Sequence, residues 1–377
     1  MALPFEYPIM RVPFLYCLAL PLLLLPPAAC ADDGDGLRGA AAWTSDAVAD
    51  VSGGLRQGGL VMHNLDLTAD WQAGSWSAHG YVLGNFNGGF SERYVGDVQT
   101  VSNIDTTPAV RLFEAWMRRT SGDGNTVATF GLINLNAIFD LQDAACLFHN
   151  SSHGIGPDYS QSGPSIFPIT ALGVVAEHRM GPFSVRAGVF DGVPGDSNND
   201  RRFVYVRVAK DEGAHVVAEA QYDFTGGRLT LGHWANTAAK PRLDGTGTTH
   251  RSGTYAQGQV TIDETTHAWL RTGVANDKTL PLSAYIGGGV VRSGPFGRTD
   301  DSVGVAVAHV RFGAPYRAAQ GPAFDDETTW EATYHYAVGP RVSLEPDLQY
   351  VVNPGGDLSV SNALVVGVRI HVNIFGT

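Results

Sequence analysis

The chain has 377 residues, 46 of them glycine and 20 proline, with 44% hydrophobic and only 16% charged residues. This composition excludes a disordered chain and long charged helices, and favours short strands punctuated by turns. The formal net charge of -12, with acidic residues spread along the chain, leaves no basic face to neutralise phosphates and excludes nucleic acid as a partner.

Residues 1–31 read as an export signal. Arg11 precedes an apolar core from Val12 to Leu25, and Ala29-Cys30-Ala31 offers small residues for cleavage before Asp32. Cleavage there removes two of the three cysteines, so neither a disulfide framework nor a cysteine-based zinc site is expected. Residues 32–59 read as a short periplasmic segment. Gly34, Gly36 and Gly39 match a dinucleotide-binding spacing, but no strand-like run precedes them and Asp33 and Asp35 would repel a pyrophosphate. Beyond the signal no apolar run approaches the roughly 18 residues of a spanning helix. A membrane role for the mature chain therefore requires a closed barrel, the other structure that pairs every backbone group inside a bilayer.

Residues 60–377 read as that barrel, all-β and antiparallel. Stretches of about ten residues alternate apolar and polar, which is the period of a strand with one apolar face. About sixteen strands are expected, beginning near residues 60, 75, 108, 125, 169, 182, 202, 214, 227, 252, 265, 281, 302, 328, 341 and 362. Phe113, Ala115 and Met117 share the apolar face opposite Glu114, Trp116 and Arg118; Phe183, Val185 and Val189 oppose Arg186; Val204, Val206 and Val208 oppose Arg207; Ala218, Ala220 and Tyr222 oppose Glu219 and Gln221. Nearer the end, Trp330, Tyr334 and Tyr336 oppose Glu331. Val342, Leu344, Leu348, Tyr350 and Val352 oppose Glu345, Asp347 and Gln349. Leu364, Val366, Val368 and Ile370 oppose Arg369. With Glu177 and Arg271, these polar residues are the candidate lumen lining. Arginine or lysine turned to lipid at the bilayer midplane costs about 2–4 kcal/mol, which fixes which face is inner.

Two stretches, 85–107 and 135–168, carry turn chemistry without alternation, as loops outside the membrane or folded into the lumen would. The tight turns at 225–227 and 338–340 suit the periplasmic side. Trp71, Tyr94, Trp234, Trp269, Trp330, Tyr334, Tyr336 and Tyr350 are candidates for interfacial aromatic girdles.

No catalytic motif is present: neither H-E-x-x-H, nor G-x-S-x-G, nor a phosphate-binding loop occurs. His149 and His153 are four apart, but Gly154, Gly156 and Pro157 argue against a helical metal pair. The stretch 191–200 has calcium-like acidity, yet its Gly and Asn are what a turn requires. No metal and no cofactor are expected.

Two blocks resemble the carbohydrate-selective porin family of OprB type. One lies within 136–195 and contains NAIFDL and SGPSIFPITALGVVAEHRMGPFSVRAGVFDGVPGD; the other spans 327–375 and contains PDLQY, an N-P-G-G loop and a closing strand. The segment LFEAWMRR resembles a strand of the same family. The resemblance implies a sixteen-stranded barrel of the bacterial outer membrane that takes up glucose or other sugars without a cofactor. Its partners would be small carbohydrates and outer-membrane lipid, with a homotrimer as the candidate assembly. In such a lumen arginine forks donate paired hydrogen bonds to hydroxyls and carboxylates accept from them. The competing readings are a barrel enzyme, a hydrolase with Ser, His and acid gathered from separate strands; a general non-selective porin; and a structural or adhesive barrel closed by its loops.

Overall fold

Alternation of apolar and polar side chains commits a segment to a strand, and a chain made almost wholly of such segments can satisfy its backbone only by pairing each with its neighbour. The computed structural model describes residues 36–376; the export signal expected at 1–31 lies outside the described residues. Among the described residues the strands are β1 (Gly36–Gly54), β2 (Gly58–Ala73), β3 (Trp76–Phe86), β4 (Ala109–Thr120), β5 (Thr126–Ile133), β6 (Ala171–Met180), β7 (Phe183–Asp191) and β8 (Ala214–Phe224). They continue with β9 (Gly227–Pro241), β10 (Thr248–Thr261), β11 (Thr266–Ala275), β12 (Leu282–Ser293), β13 (Ser302–Phe312), β14 (Glu327–Gly339), β15 (Val342–Val352) and β16 (Ser361–Phe375). Each pairs with its sequence neighbours, and β1 also pairs antiparallel with β16, closing the barrel. Connections are short at the end that holds the turns 74–75, 181–182, 225–226 and 340–341, and longer at the other, where 87–108, 134–170 and 192–213 lie.

The number of strands agrees with the sequence reading, but two assignments differ. Residues 36–54 do not form a periplasmic segment: they are the first barrel strand, with Asp50 opposite Gly58 and Ala47 opposite Val368. The alternation there is hard to see because the outward positions hold Ser45, Ala47 and Ala49 while Val48 points inward, so the hydropathy contrast is small. Conversely, the segment 202–208 alternates like a strand but has none to pair with. The ladder runs directly from β7 to β8, with Asp191 opposite Ala214, and 202–208 lies in the connection between them, tied by one backbone bond from Leu112 to the Phe203 carbonyl (2.7 Å). Period alone does not make a strand; a free neighbouring edge is also needed.

Burial is the reverse of a soluble protein's. Leu229, Leu231, Leu270, Val305, Leu348, Val366 and Ile370 are exposed on the outside, whereas Asp46, Glu219, Arg271, Glu331 and Arg369 are buried inside. Such an apolar exterior is stable only against lipid. Trp71, Trp330, Tyr336 and Tyr350 are exposed on this outer surface, as a girdle requires, and Tyr334 shares their face. Trp234 and Trp269 depart from the expected girdle. Each lies beside an outward leucine or histidine in strand order and so points inward, buried at 0% and 4% exposure. Tyr94 belongs to the 87–108 connection, under Arg56 at 4.7 Å. Phe113 also leaves the outer face. The register shifts between Tyr81, opposite Glu114, and Val82, opposite Leu112, so a bulge turns two consecutive residues inward. Phe113 then packs on Tyr81 at 5.0 Å and Phe167 at 6.3 Å.

Leu348 sits at mid-height on the outer face, between Ala332 and Val366 on the flanking strands. Leu348→Arg is expected to cost about 2–4 kcal/mol, measured as the shift of the urea midpoint for unfolding from lipid vesicles; a cost near zero would mean that this face does not meet lipid.

Candidate solute pathway

A ring of sixteen strands would enclose a wide lumen, so what the inward side chains hold decides what remains open. Most of the wall is covered by two connections that fold inward, 87–108 and 134–170, which reach β1, β8 to β16 and also parts of β2 to β7. Their apolar residues form a core with the wall: Leu135, Ile138, Phe139 and Tyr159 pack against Trp116, Val175, Phe190, Val217, Trp234 and Tyr255. Tyr159 stacks on Trp234 with centroids 5.0 Å apart and planes 3° from parallel.

Charged wall residues hold the polar part of the same connections. Glu219 accepts the Asp140 backbone N–H at 2.6 Å and the Tyr255 hydroxyl. The Arg271 guanidinium donates to both carboxylate oxygens of Asp140 and to Asp158. On the opposite side Glu331 accepts backbone N–H groups of His149 and Asn150, and its Oε2 lies 3.3 Å from His153 Nε2. Glu345 lies 3.2 Å from His149 Nε2 and 2.8 Å from His335 Nδ1. Gln349 donates to the Val101 carbonyl (2.7 Å) and accepts from Asn150 (3.1 Å); beside it, Asp347 accepts from Thr333. At the seam, Arg369 donates twice to Asp46, at 2.6 and 2.7 Å, and once to Asn103 at 2.8 Å. The two connections also pair with each other, Asn103 N–H to the His149 carbonyl and Ser151 N–H to the Thr100 carbonyl.

The wall from β2 to β6 is different, because its inward polar groups bond mainly to one another. Tyr81 donates to Asp66, Asn85 to Asn64, and Arg111 to Asn85. Lower down, His79 stacks on Trp116 at 5.1 Å and the Arg118 guanidinium lies over the same indole at 4.7 Å. Glu114 accepts from the Trp116 indole N–H (3.0 Å) and from the Asn134 N–H (3.1 Å). Arg118 also donates to Thr129 at 3.0 Å. Arg186 reaches Glu177 at 3.6 Å and Glu219 at 3.1 Å, and donates to Gln221 at 3.3 Å. The side chains of Glu177 and Arg186 keep 29% and 16% exposure, against 2% for Arg271. Arg118, Glu177 and Arg186, on β4, β6 and β7, therefore stand where the lumen keeps space, while most other inward groups are taken up by the loops or by one another.

Thirteen of the fourteen candidate residues lie on strands in these two regions. Arg207 does not: it belongs to the 192–213 connection, half exposed and facing Asp211 and Glu212, because the segment that carries it is not a strand. The reading from sequence also missed the loop partners Asp140, His149, Asn150, His153 and Asp158. The signal for them was present, since a wall with buried Glu219, Arg271, Glu331 and Glu345 needs partners that the strands alone do not supply. Among the described residues no group of three or more His, Cys, Asp and Glu is placed to hold a metal. Within 191–200, Asp196 accepts from the Asn198 N–H and from Arg202, as in a turn.

Burial and the nearby Arg369 push the pKa of the loop residue His149 down, but Asp347, Glu345 and Asp46 outweigh them and leave it raised above the ordinary 6.5. A raised value means that the ion pair stabilises the loop fully below about pH 6.5 and that the contribution is lost as pH rises through the folded-state value. Hydrogen-exchange protection of 148–153, corrected for the intrinsic rate, should fall as pH rises above about 6.5. His149→Asn should abolish that pH dependence; a wild-type profile that stays flat would contradict the assignment.

A model of the carbohydrate-selective porin, OprB family, matches residues 63–374. No curated protein sequence matches the chain. Among solved structures, OprB of Pseudomonas putida at high pH is similar with a TM-score of 0.78 at 19% identity, covering 90% of this chain and 94% of its own. Salmonella typhi OmpF in complex with daunomycin gives 0.60 at 11% identity, over 91% of this chain and 99% of its own. A mutant Rh. blastica porin gives 0.55 at 10% identity, over 90% and 100%. At these identities the likeness is one of fold.

Proposed function

The chain belongs to the OprB family of carbohydrate-selective porins, and on that premise we propose how its lumen passes sugars. It is a porin of the bacterial outer membrane, with carbohydrates as its substrates. The proposed route runs along the inward face of β4 to β7, past Arg118, Glu177 and Arg186. A pyranose offers hydroxyls around its rim and an apolar face. The two guanidinium groups donate paired hydrogen bonds to hydroxyls, and Glu177 accepts from them. The observation that carries the reading is the partial exposure of Glu177 and Arg186 while Arg271, Glu331 and Arg369 are taken up by the loops. Those buried residues line the lumen as a scaffold for the narrowing rather than as sugar contacts. Passage is by diffusion, without a reaction, which is the reading we favour over a barrel hydrolase.

Vesicles containing the refolded protein should swell in glucose, and sugars should partly block the current through planar bilayers. Glu177→Gln and Arg118→Gln each remove one charge-bearing hydrogen-bond partner and should raise the half-blocking sugar concentration by about two- to tenfold, the equivalent of ~0.5–1.5 kcal/mol. A protein that conducts ions but shows neither block nor sugar-driven swelling would contradict the sugar route. An effect of these substitutions below twofold would remove the two residues from it.

A further inference from the structure

We propose that Arg271 is the positioning residue that keeps the sugar route open, by holding the 134–170 connection back against β11 and away from Arg118, Glu177 and Arg186. The inference rests on the route proposed above. Arg271 points inward from β11 and is 2% exposed, and the two carboxylates it binds are 0% exposed. Its Nε lies 2.9 and 3.1 Å from the Asp140 oxygens and its Nη2 lies 2.8 Å from Asp140 Oδ2; Nη1 donates to Asp158. Asp140 and Asp158 stand eighteen positions apart in sequence, at the two sides of the inward fold, so one guanidinium ties both sides to one point of the wall. Tyr255 and Tyr285 flank the guanidinium at 5.1 and 5.2 Å.

The backbone is shaped for this contact. A Cβ added at Gly273, on the same strand, would collide with the Asp158 carboxylate, and one added at Gly156 would collide with Arg271 itself. Glycine at both places lets the connection come close enough for the ion pairs to form. Without the guanidinium, two buried carboxylates would face each other with no cation between them, and the connection would leave the wall. The space available to it is that beside Arg118, Glu177 and Arg186, so release narrows the sugar route.

The test uses the full-length protein refolded into vesicles and planar bilayers, with the barrel's resistance to SDS before heating as the check of assembly. The wild type should give steady current and glucose-driven swelling. Arg271→Met should give intermittent closures and glucose swelling slowed at least about threefold. Gly273→Ala, which keeps every charge but pushes Asp158 off the wall, should give the same closures, and it stands in for Arg271→Met should that variant fail to assemble. Leu270→Ala, on the lipid side of the same strand, lowers stability without touching the anchor and should conduct like the wild type. Steady current and unchanged swelling in an assembled Arg271→Met or Gly273→Ala protein would overturn the proposal. So would closures in Leu270→Ala of the same frequency, or faster entry of larger sugars. A wild type that conducts but admits no glucose contradicts the sugar route instead, and the closures then test the anchor by current alone.

Discussion

Inside a bilayer a peptide group has no water to bond, so every backbone N–H and C=O of a spanning segment must find its partner within the chain. For a sequence of alternating strands the only solution is closure, and closure depends on the pairing of β1 with β16. The seam is reinforced from inside, where Arg369 on β16 meets Asp46 on β1 directly across the ladder. That contact also reaches Asn103 and, through Asp46, Ser102. The wall and its filling are thus joined at the place where the sheet closes.

Closure produces a second requirement. The polar half of each strand must face inward, so the chain places many carboxylates and arginines in a confined space. Buried charges that lack partners are costly, and here the partners come from backbone N–H groups, histidines and aspartates of the two inward connections. These connections serve the charges and narrow the lumen at once. Glu331 illustrates the exchange: its carboxylate is satisfied by the backbone of His149 and Asn150, and in return it fixes where that turn stands. Selection among solutes then follows from what the connections leave uncovered, the strip that includes Arg118, Glu177 and Arg186.

Much of the barrel was legible in sequence because period-2 alternation is a direct imprint of a two-sided wall. The run from Leu364 to Ile374 against Arg369, His371 and Asn373 reads almost without noise and becomes β16. Legibility failed where the contrast weakened or where pairing decided. The small outward residues Ser45, Ala47 and Ala49 hid β1, and the well-alternating stretch from Val204 to Val208 found no edge. Trp234 and Trp269 were misplaced because an aromatic is at home both at a lipid interface and in a packed core, and only the parity of the strand distinguishes the two. The candidate route was half legible. Alternation turns Glu177, Arg186 and Arg271 inward alike, but which of them meets solute depends on loops whose course has no local period to read.

The central claim is that water, and with it solute, occupies the side of the lumen beside Arg118, Glu177 and Arg186 and not the loop-covered side. Glu177 on β6 faces the first region with its side chain 29% exposed, and Thr329 on β14 lies beneath the loops of the second, fully buried. Modification of a Glu177→Cys channel by a charged, water-soluble thiol reagent should lower single-channel current beyond any change in the unsubstituted protein, while a Thr329→Cys channel should be unaffected. Current that falls at Thr329→Cys and holds at Glu177→Cys would contradict the claim.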